Sequence, residues 1–233
     1  MPRSMSAELL ASLKRIDTCA LANAIETFNV RLRNEGFCDG RVRSMFPKVQ
    51  PMVGHAVTVR IRGNGPAMDG HTYLERTDWW AHILSQPAPR VVVIQDMDAP
   101  PGLGGFVGEV HAAILRSLGC VGAVTNGAVR DLPAVEAMGF PLFAHNAAVS
   151  HAYCHIVDVG VEVSVGGLKV NPGDWLHGDI HGVLSIPQEI AKELPETVES
   201  IRTRERKLIE MCADPELTAE KLGRIFAKNG AKK

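Results

Sequence analysis

RVVVIQDMDAPPGLGGFVGEVHAAILRSLGCVGAVTNGAVRDLPAVEAMGFPLFA, residues 90–144, is the stretch from which the fold can be read. Arg90 to Gln95 is a short run of β-branched residues, predicted to be a buried strand. Val107 to Leu118 carries apolar residues at helical spacing and stops at Gly119. Val121 to Thr125 reads as a second strand. Pro133 to Met138 reads as a short helix stopped by Gly139, and Pro141 to Ala144 as a third strand. Strands alternating with helices predict an α/β core with parallel pairing.

Upstream, residues 6–28 place Leu9, Leu10, Leu13, Ala20, Leu21, Ala24 and Ile25 at helical spacing, with a break near Asp17-Thr18 where either side chain could cap a new helix. Residues 31–52 look irregular. Val53 to Arg62 alternates as a strand does, 63–70 is a loop, and 71–86 is expected to be helical with Trp79, Trp80 and Ile83 inward. Downstream the character changes. Val157–Val165, Gly167–Val170 and Gly182–Ile186 are β-like around the turn Asn171-Pro172-Gly173-Asp174, so the sheet becomes mixed. From Pro187 to about Lys228 the pattern is charged and helical. The whole of 1–233 reads as one domain: N-terminal helices over 1–30, an α/β core over 53–187 and a helical C-terminal extension over 188–233.

With 233 residues, 45% hydrophobic and 22% charged, the chain can bury a full core. A net charge of −1 gives no electrostatic reason to bind nucleic acid or an anionic membrane. The N-terminus has no apolar signal-peptide segment and no run approaches the ~20 residues that cross a bilayer. Five scattered cysteines, with no Cys-x-x-Cys pair, fit a reducing cytoplasm and no thiolate zinc site.

The chemistry concentrates between Gly102 and Asp131. A glycine-rich loop follows the first strand and a tight loop holding Arg130-Asp131 follows the second, both at the C-terminal strand ends where α/β sheets place their sites. Asp131 before Leu-Pro-Ala-Val-Glu is also an ordinary helix N-cap, with Pro133 in the first turn. Arg130 suits a carboxylate with its planar fork, or a surface salt bridge. The spacing Gly102-x-Gly104-x-x-x-Gly108 is a poor dinucleotide fingerprint, but successive glycine amides before a helix can cradle a small anion. His151/His155 and His177/His181 are each four apart. Zinc needs both on one helix face with a third ligand, and the second pair spans a turn-like Gly178-Asp179.

Glu109, twenty residues, then Arg130-Asp131 resembles the acidic-x20-Arg-Asp signature of the 4-hydroxy-4-methyl-2-oxoglutarate aldolases, which share a superfamily with the regulators of ribonuclease activity A (RraA-like). VGHAVTV at 53–59, NPGD at 171–174 and GDIHGVLSIP at 178–187 are similar to further segments of that superfamily, so the resemblance covers about residues 8–210. It departs in having Glu at 109 where the best-known signature has Asp, in Thr125-Asn126, and over 64–82, where Asp69, His71 and two tryptophans do not align.

The resemblance implies a swivelling β/β/α-type fold with a mixed central sheet, assembled as a trimer or hexamer with sites between subunits. It implies a divalent-metal-dependent class II pyruvate aldolase cleaving a 4-hydroxy-2-keto acid, with oxaloacetate decarboxylation by the same enolate chemistry. Asp131 would bind Mg²⁺ or Mn²⁺ directly, Glu109 through water, and Arg130 the substrate. Amides of Gly105, Phe106, Val107 and Gly108 would receive the pyruvyl carboxylate. A neighbouring subunit's carboxylate, taken here as Glu205, would join the site. The competing implication is a non-catalytic regulator that binds ribonuclease E. A methyltransferase reading lacks its nucleotide loop.

Overall fold

The centre of the molecule is a strand buried on both faces. In the computed structural model, which describes residues 4–46, 48, 50–67 and 76–228, every residue from Met52 to Val59 is buried. Two short helices precede it, α1 (Ala7–Leu13) and α2 (Thr18–Thr27), then a two-residue edge strand, β1 (Arg43–Ser44), and β2 itself (Met52–Arg62). Asp17 is the residue that caps α2, accepting from the Ala20 amide at 2.8 Å, and it also holds Arg202 at 2.9 Å. The chain continues through α3 (Arg76–Ser85), β3 (Arg90–Asp96), β4 (Gly105–Val107), α4 (Glu109–Ser117), β5 (Cys120–Thr125), β6 (Ala128–Val129), α5 (Leu132–Ala137), β7 (Leu142–Ala144) and β8 (Asn146–Ala147). It ends with β9 (His155–Val159), the hairpin β10 (Val163–Val165) and β11 (Leu168–Val170), β12 (Trp175–Asp179), β13 (Gly182–Ile186), α6 (Leu194–Cys212) and α7 (Ala219–Lys228).

The main sheet runs β1-β7-β5-β3-β2-β12-β13, with β9 also paired to β2. β2, β3, β5 and β7 are parallel, as the strand–helix alternation predicts; β1, β9, β12 and β13 are antiparallel, so the sheet is mixed. β2 does not show the half-buried alternation expected of it, because helices and the β10–β11 hairpin cover both faces. One core packs β2, β3 and β5 against α3, α4 and α5. A second joins α1, α2 and α6 to β13, and a third lies under the hairpin.

Each of the three parallel strands β3, β5 and β7 runs on into a strand of a second, small parallel sheet, ordered β4-β6-β8. This sheet is absent from the sequence reading. Val107, expected to open the helix, is its register partner to Val129. Asn126 sets the junction: its side-chain oxygen accepts from the Asp96 amide at 2.8 Å and its nitrogen donates to the Asp96 carbonyl at 2.9 Å, tying the ends of β3 and β5. That bond pair gives a structural role to Asn126, one of the positions at which the resemblance departs.

Other expectations are adjusted. Trp79 and Ile83 are buried on α3 while Trp80 is half-buried; Asp69 and His71 lie outside the described residues. Gly178-Asp179 is strand, not turn, and 187–193 precede the helix that starts at Leu194.

Candidate active site

The tight loop after β6 is held by main-chain bonds. The Arg130 amide donates to the Val107 carbonyl at 2.9 Å, and the Ala148 amide to Val129 at 2.9 Å, so β4, the loop and β8 are fixed side by side. Asp131 stands at the N-cap position of α5, yet its side chain makes no capping bond there. Its backbone is left-handed, φ 54° and ψ 37°, a conformation unfavourable by ~1–2 kcal/mol for most residues and tolerated best by Gly, Asn and Asp. The carboxylate turns instead to the neighbouring helix. Asp131 Oδ2 accepts from the Glu109 amide at 3.0 Å, supplying the first turn of α4 with the acceptor that its own N-cap, Gly108, lacks. Asp131 Oδ1 lies 3.3 Å from Arg130 Nε. The Glu109 amide first, and the Arg130 guanidinium after it, hold the Asp131 carboxyl below the usual carboxylate range.

Two glycines permit this approach. A Cβ on Gly108 would come within 2.4 Å of Asp131 Oδ2 and 2.9 Å of Arg130 Cγ, and one on Gly105 within 3.2 Å of Arg130 Cβ. The glycine strand thus makes room for the Arg-Asp pair. The Gly105 amide is itself engaged, donating to the Ser150 carbonyl at 2.9 Å.

Arg130 and Asp131 open into a cavity of about 690 Å³ that Gly105, Phe106 and Gly108 also line. Val107 is fully buried in β4. Glu109 is exposed at the first turn of α4; its amide meets Asp131, but its side chain is not part of the cavity wall. Glu205 is exposed on α6. The rest of the lining includes residues that sequence reasoning did not assign to the site: Trp79 and Trp80 of α3, His111 and Ile114 of α4, and the stretch His151–Ile156 leading into β9. The sequence singles out His151 and His155 only by their metal-like spacing. They come to the site because β9 returns antiparallel along β2, with His155 opposite Arg62.

The imidazoles are oriented locally. His111 Nδ1 lies 3.1 Å from the Phe106 carbonyl and its ring meets Phe106 edge-on at 4.8 Å. His151 Nδ1 faces the Ala152 carbonyl at 2.8 Å, and His155 Nδ1 that of Tyr153 at 2.7 Å. Burial, with Asp96 and Asp98 nearby, pushes the Cys154 thiol up to about 11, so it is not a ready nucleophile at neutral pH. The other histidine pair is split: His177, fully buried, sits 3.0 Å from Thr18 Oγ1, while His181 contacts Asp179 at 3.1 Å. Among the described residues no set of three or more His, Cys, Asp or Glu side chains is placed to hold a metal ion, and no helix is long and apolar enough to cross a membrane.

Comparison with known proteins bears on the family and the fold. The model of the RraA-like family, Aldolase/RraA, matches residues 18–185. The chain is 34% identical over 84 residues to a protein of Halalkalibacterium halodurans provisionally named 4-hydroxy-4-methyl-2-oxoglutarate aldolase, covering 36% of this chain and 40% of that protein. It is 36% identical over 93 residues to an uncharacterized protein of Methanocaldococcus jannaschii, covering 40% of this chain and 45% of that one. The matches therefore span less than half the length of these curated relatives. Among solved structures, an uncharacterized protein from Pseudomonas syringae superposes with a TM-score of 0.74 at 20% identity, over 98% of this chain and 97% of that one. Streptomyces coelicolor RraAS2, described as an unusual member of the RNase ES inhibitor RraA protein family, superposes with a TM-score of 0.71 at 21% identity, over 89% and 100%.

Proposed function

We propose, for a chain that belongs to the RraA-like family, that it is a divalent-metal-dependent lyase of the class II pyruvate aldolase type. It would cleave a 4-hydroxy-2-keto acid to pyruvate and a second carbonyl compound, and decarboxylate oxaloacetate by the same enolate chemistry. The observation that carries this reading is the Arg130-Asp131 pair. Asp131 keeps an unfavourable backbone in order to stand, ionised, beside a guanidinium at a cavity wall rather than cap its own helix. Strained backbone and shifted carboxylates gather at functional sites, which supports the reading.

The donor set fits a hard cation. One ionised carboxylate, with no thiolate and no cage of side chains, suits Mg²⁺ or Mn²⁺, which keep several of their waters. Asp131 would be the direct ligand, Glu109 would act through water, and Glu205 would join from a neighbouring copy of a trimer or hexamer. When bound, the cation supplies Lewis-acid polarisation of the keto acid's carbonyl and carboxylate. Arg130 would bind the substrate and stabilise the negative charge that gathers on the C2 oxygen as the C3–C4 bond breaks. The Gly105 amide donates to Ser150 and Val107 is paired with Val129 in the small sheet, so the carboxylate would be oriented by the loop amides nearest the start of α4. C3 then takes a proton to complete pyruvate.

The test is pyruvate release from a panel of 4-hydroxy-2-keto acids and oxaloacetate, with Mg²⁺ or Mn²⁺ and with chelator. Release that chelator abolishes and metal restores supports the lyase. Release indifferent to chelator overturns the metal requirement, and no release alongside capture of ribonuclease E in a pulldown points to the regulator instead.

A further inference from the structure

The cavity is larger than a three-carbon product requires. It encloses about 690 Å³, a size that takes a far bigger ligand. Arg130 and Asp131 occupy one part of its wall. Trp80, Phe106 and Tyr153 also line it, with buried Trp79 behind them. Aromatic residues are 5% of the chain, yet two of its three tryptophans and one of its two tyrosines stand here, so composition does not account for the concentration. The charge is equally one-sided. Among the described residues of the wall, Arg130 is the one permanent cation. The Nδ1 atoms of His111, His151 and His155 face backbone carbonyls. Against this described lining, a second carboxylate at the substrate's far end would be desolvated beside aromatic faces. A flat uncharged ring would instead gain both area and ring contacts.

Resting on the aldolase reading above, we propose that the natural substrate is a 4-hydroxy-2-keto acid whose C4 carries an uncharged aryl group. In the cleavage the C3–C4 bond breaks, the C4 hydroxyl loses its proton and becomes the carbonyl of an aryl aldehyde, and C3 gains a proton to give pyruvate. No oxidant or reductant enters.

The experiment compares three stable keto acids by calorimetry with Mg²⁺ in the buffer: pyruvate, phenylpyruvate, and 2-oxoglutarate as the acid with a charged tail. Phenylpyruvate is expected to bind about tenfold tighter than either of the others. Trp80→Ala should reduce that preference to near unity. Tyr153→Ala should do the same, and as Tyr153 is 58% exposed its loss does not threaten the fold. In turnover, 4-hydroxy-2-oxo-4-phenylbutanoate should give pyruvate and benzaldehyde in equal amounts. The proposal is overturned if pyruvate binds but 2-oxoglutarate binds as tightly as phenylpyruvate, or if both variants keep the full preference. If none of the three acids binds, the aldolase reading falls first and this proposal with it.

Discussion

The Asp131 carboxylate accepts a hydrogen bond from the Glu109 amide at 3.0 Å, so the last residue of the Arg-Asp pair caps the helix that begins with Glu109. The twenty residues between Glu109 and Arg130 are therefore the length of one α4–β5–β6 excursion that returns to its own starting point.

That geometry separates two roles of Asp131. Asp131→Asn retains an acceptor for the Glu109 amide and a side chain at ease in the left-handed region, so its unfolding midpoint should stay close to that of the parent. Asp131→Ala loses the cap, about 0.5–2 kcal/mol, and sits less easily at φ 54°. Both should lose metal-dependent pyruvate release. Denaturant unfolding run beside the activity assay checks the pair: full activity in the Asn variant would show that the negative charge is not needed.

Gly108 offers a test of position without chemistry. Its backbone, φ −126°, is open to any residue, but a methyl group there would press on Asp131 Oδ2 at 2.4 Å. Gly108→Ala should fold and still lose at least tenfold in turnover, because Asp131 is pushed off the Glu109 amide. A crystal structure of the variant with Asp131 unmoved, or unimpaired kinetics, would contradict this.

Stability should depend on pH through a residue far from the site. Burial lowers the pKa of His177, although Asp179 and Asp17 pull the other way. A histidine whose folded pKa is depressed binds its proton more readily when unfolded, so its contribution is complete above the unfolded value of about 6.5 and is lost as pH falls below it. Unfolding midpoints between pH 7.5 and 5 should fall. His177→Asn should flatten that slope in part, with the remainder belonging to half-buried His82, shifted the same way by burial. The slope, not the midpoint, is the readout, since the variant itself disturbs a contact with Thr18.

Much of this is legible in the sequence, and the gaps have physical reasons. β3 and β5 are runs of apolar, mostly β-branched residues ended by glycine or polar turns, and nothing else suits such runs. β4, β6 and β8 are two or three residues long, too short for any period to show. The αL backbone of Asp131 is hidden because Asp followed by Leu-Pro is also a sound helix start; only the loop's bond to Val107 and the call of the Glu109 amide on the carboxylate decide it. The aromatic wall is hidden for a topological reason. Trp79 and Tyr153 are separated by β3, β5 and β7, and only the antiparallel return of β9 onto β2 brings them to one cavity.

Arg130 carries the sharpest quantitative expectation. Its ion pair with Asp131 is partly exposed, 31% and 37% at the two side chains, and a bridge of that kind contributes only ~0–1 kcal/mol. A structural role would therefore leave turnover nearly unchanged on substitution. Stabilising a developing enolate demands far more, about 10²–10³ in rate or roughly 3–4 kcal/mol. Lysine preserves the charge but not the planar fork, so Arg130→Lys should keep the fold and some metal binding while losing most of the rate. Arg130→Ala should lose more, and added guanidinium should restore part of it. The Arg130 stem packs against Gly105 and Gly108, so both variants need thermal unfolding alongside steady-state kinetics. With midpoints unchanged, a rate within about threefold of the parent, roughly 0.7 kcal/mol, would leave Arg130 a spacer against the glycine strand and remove it from the chemistry.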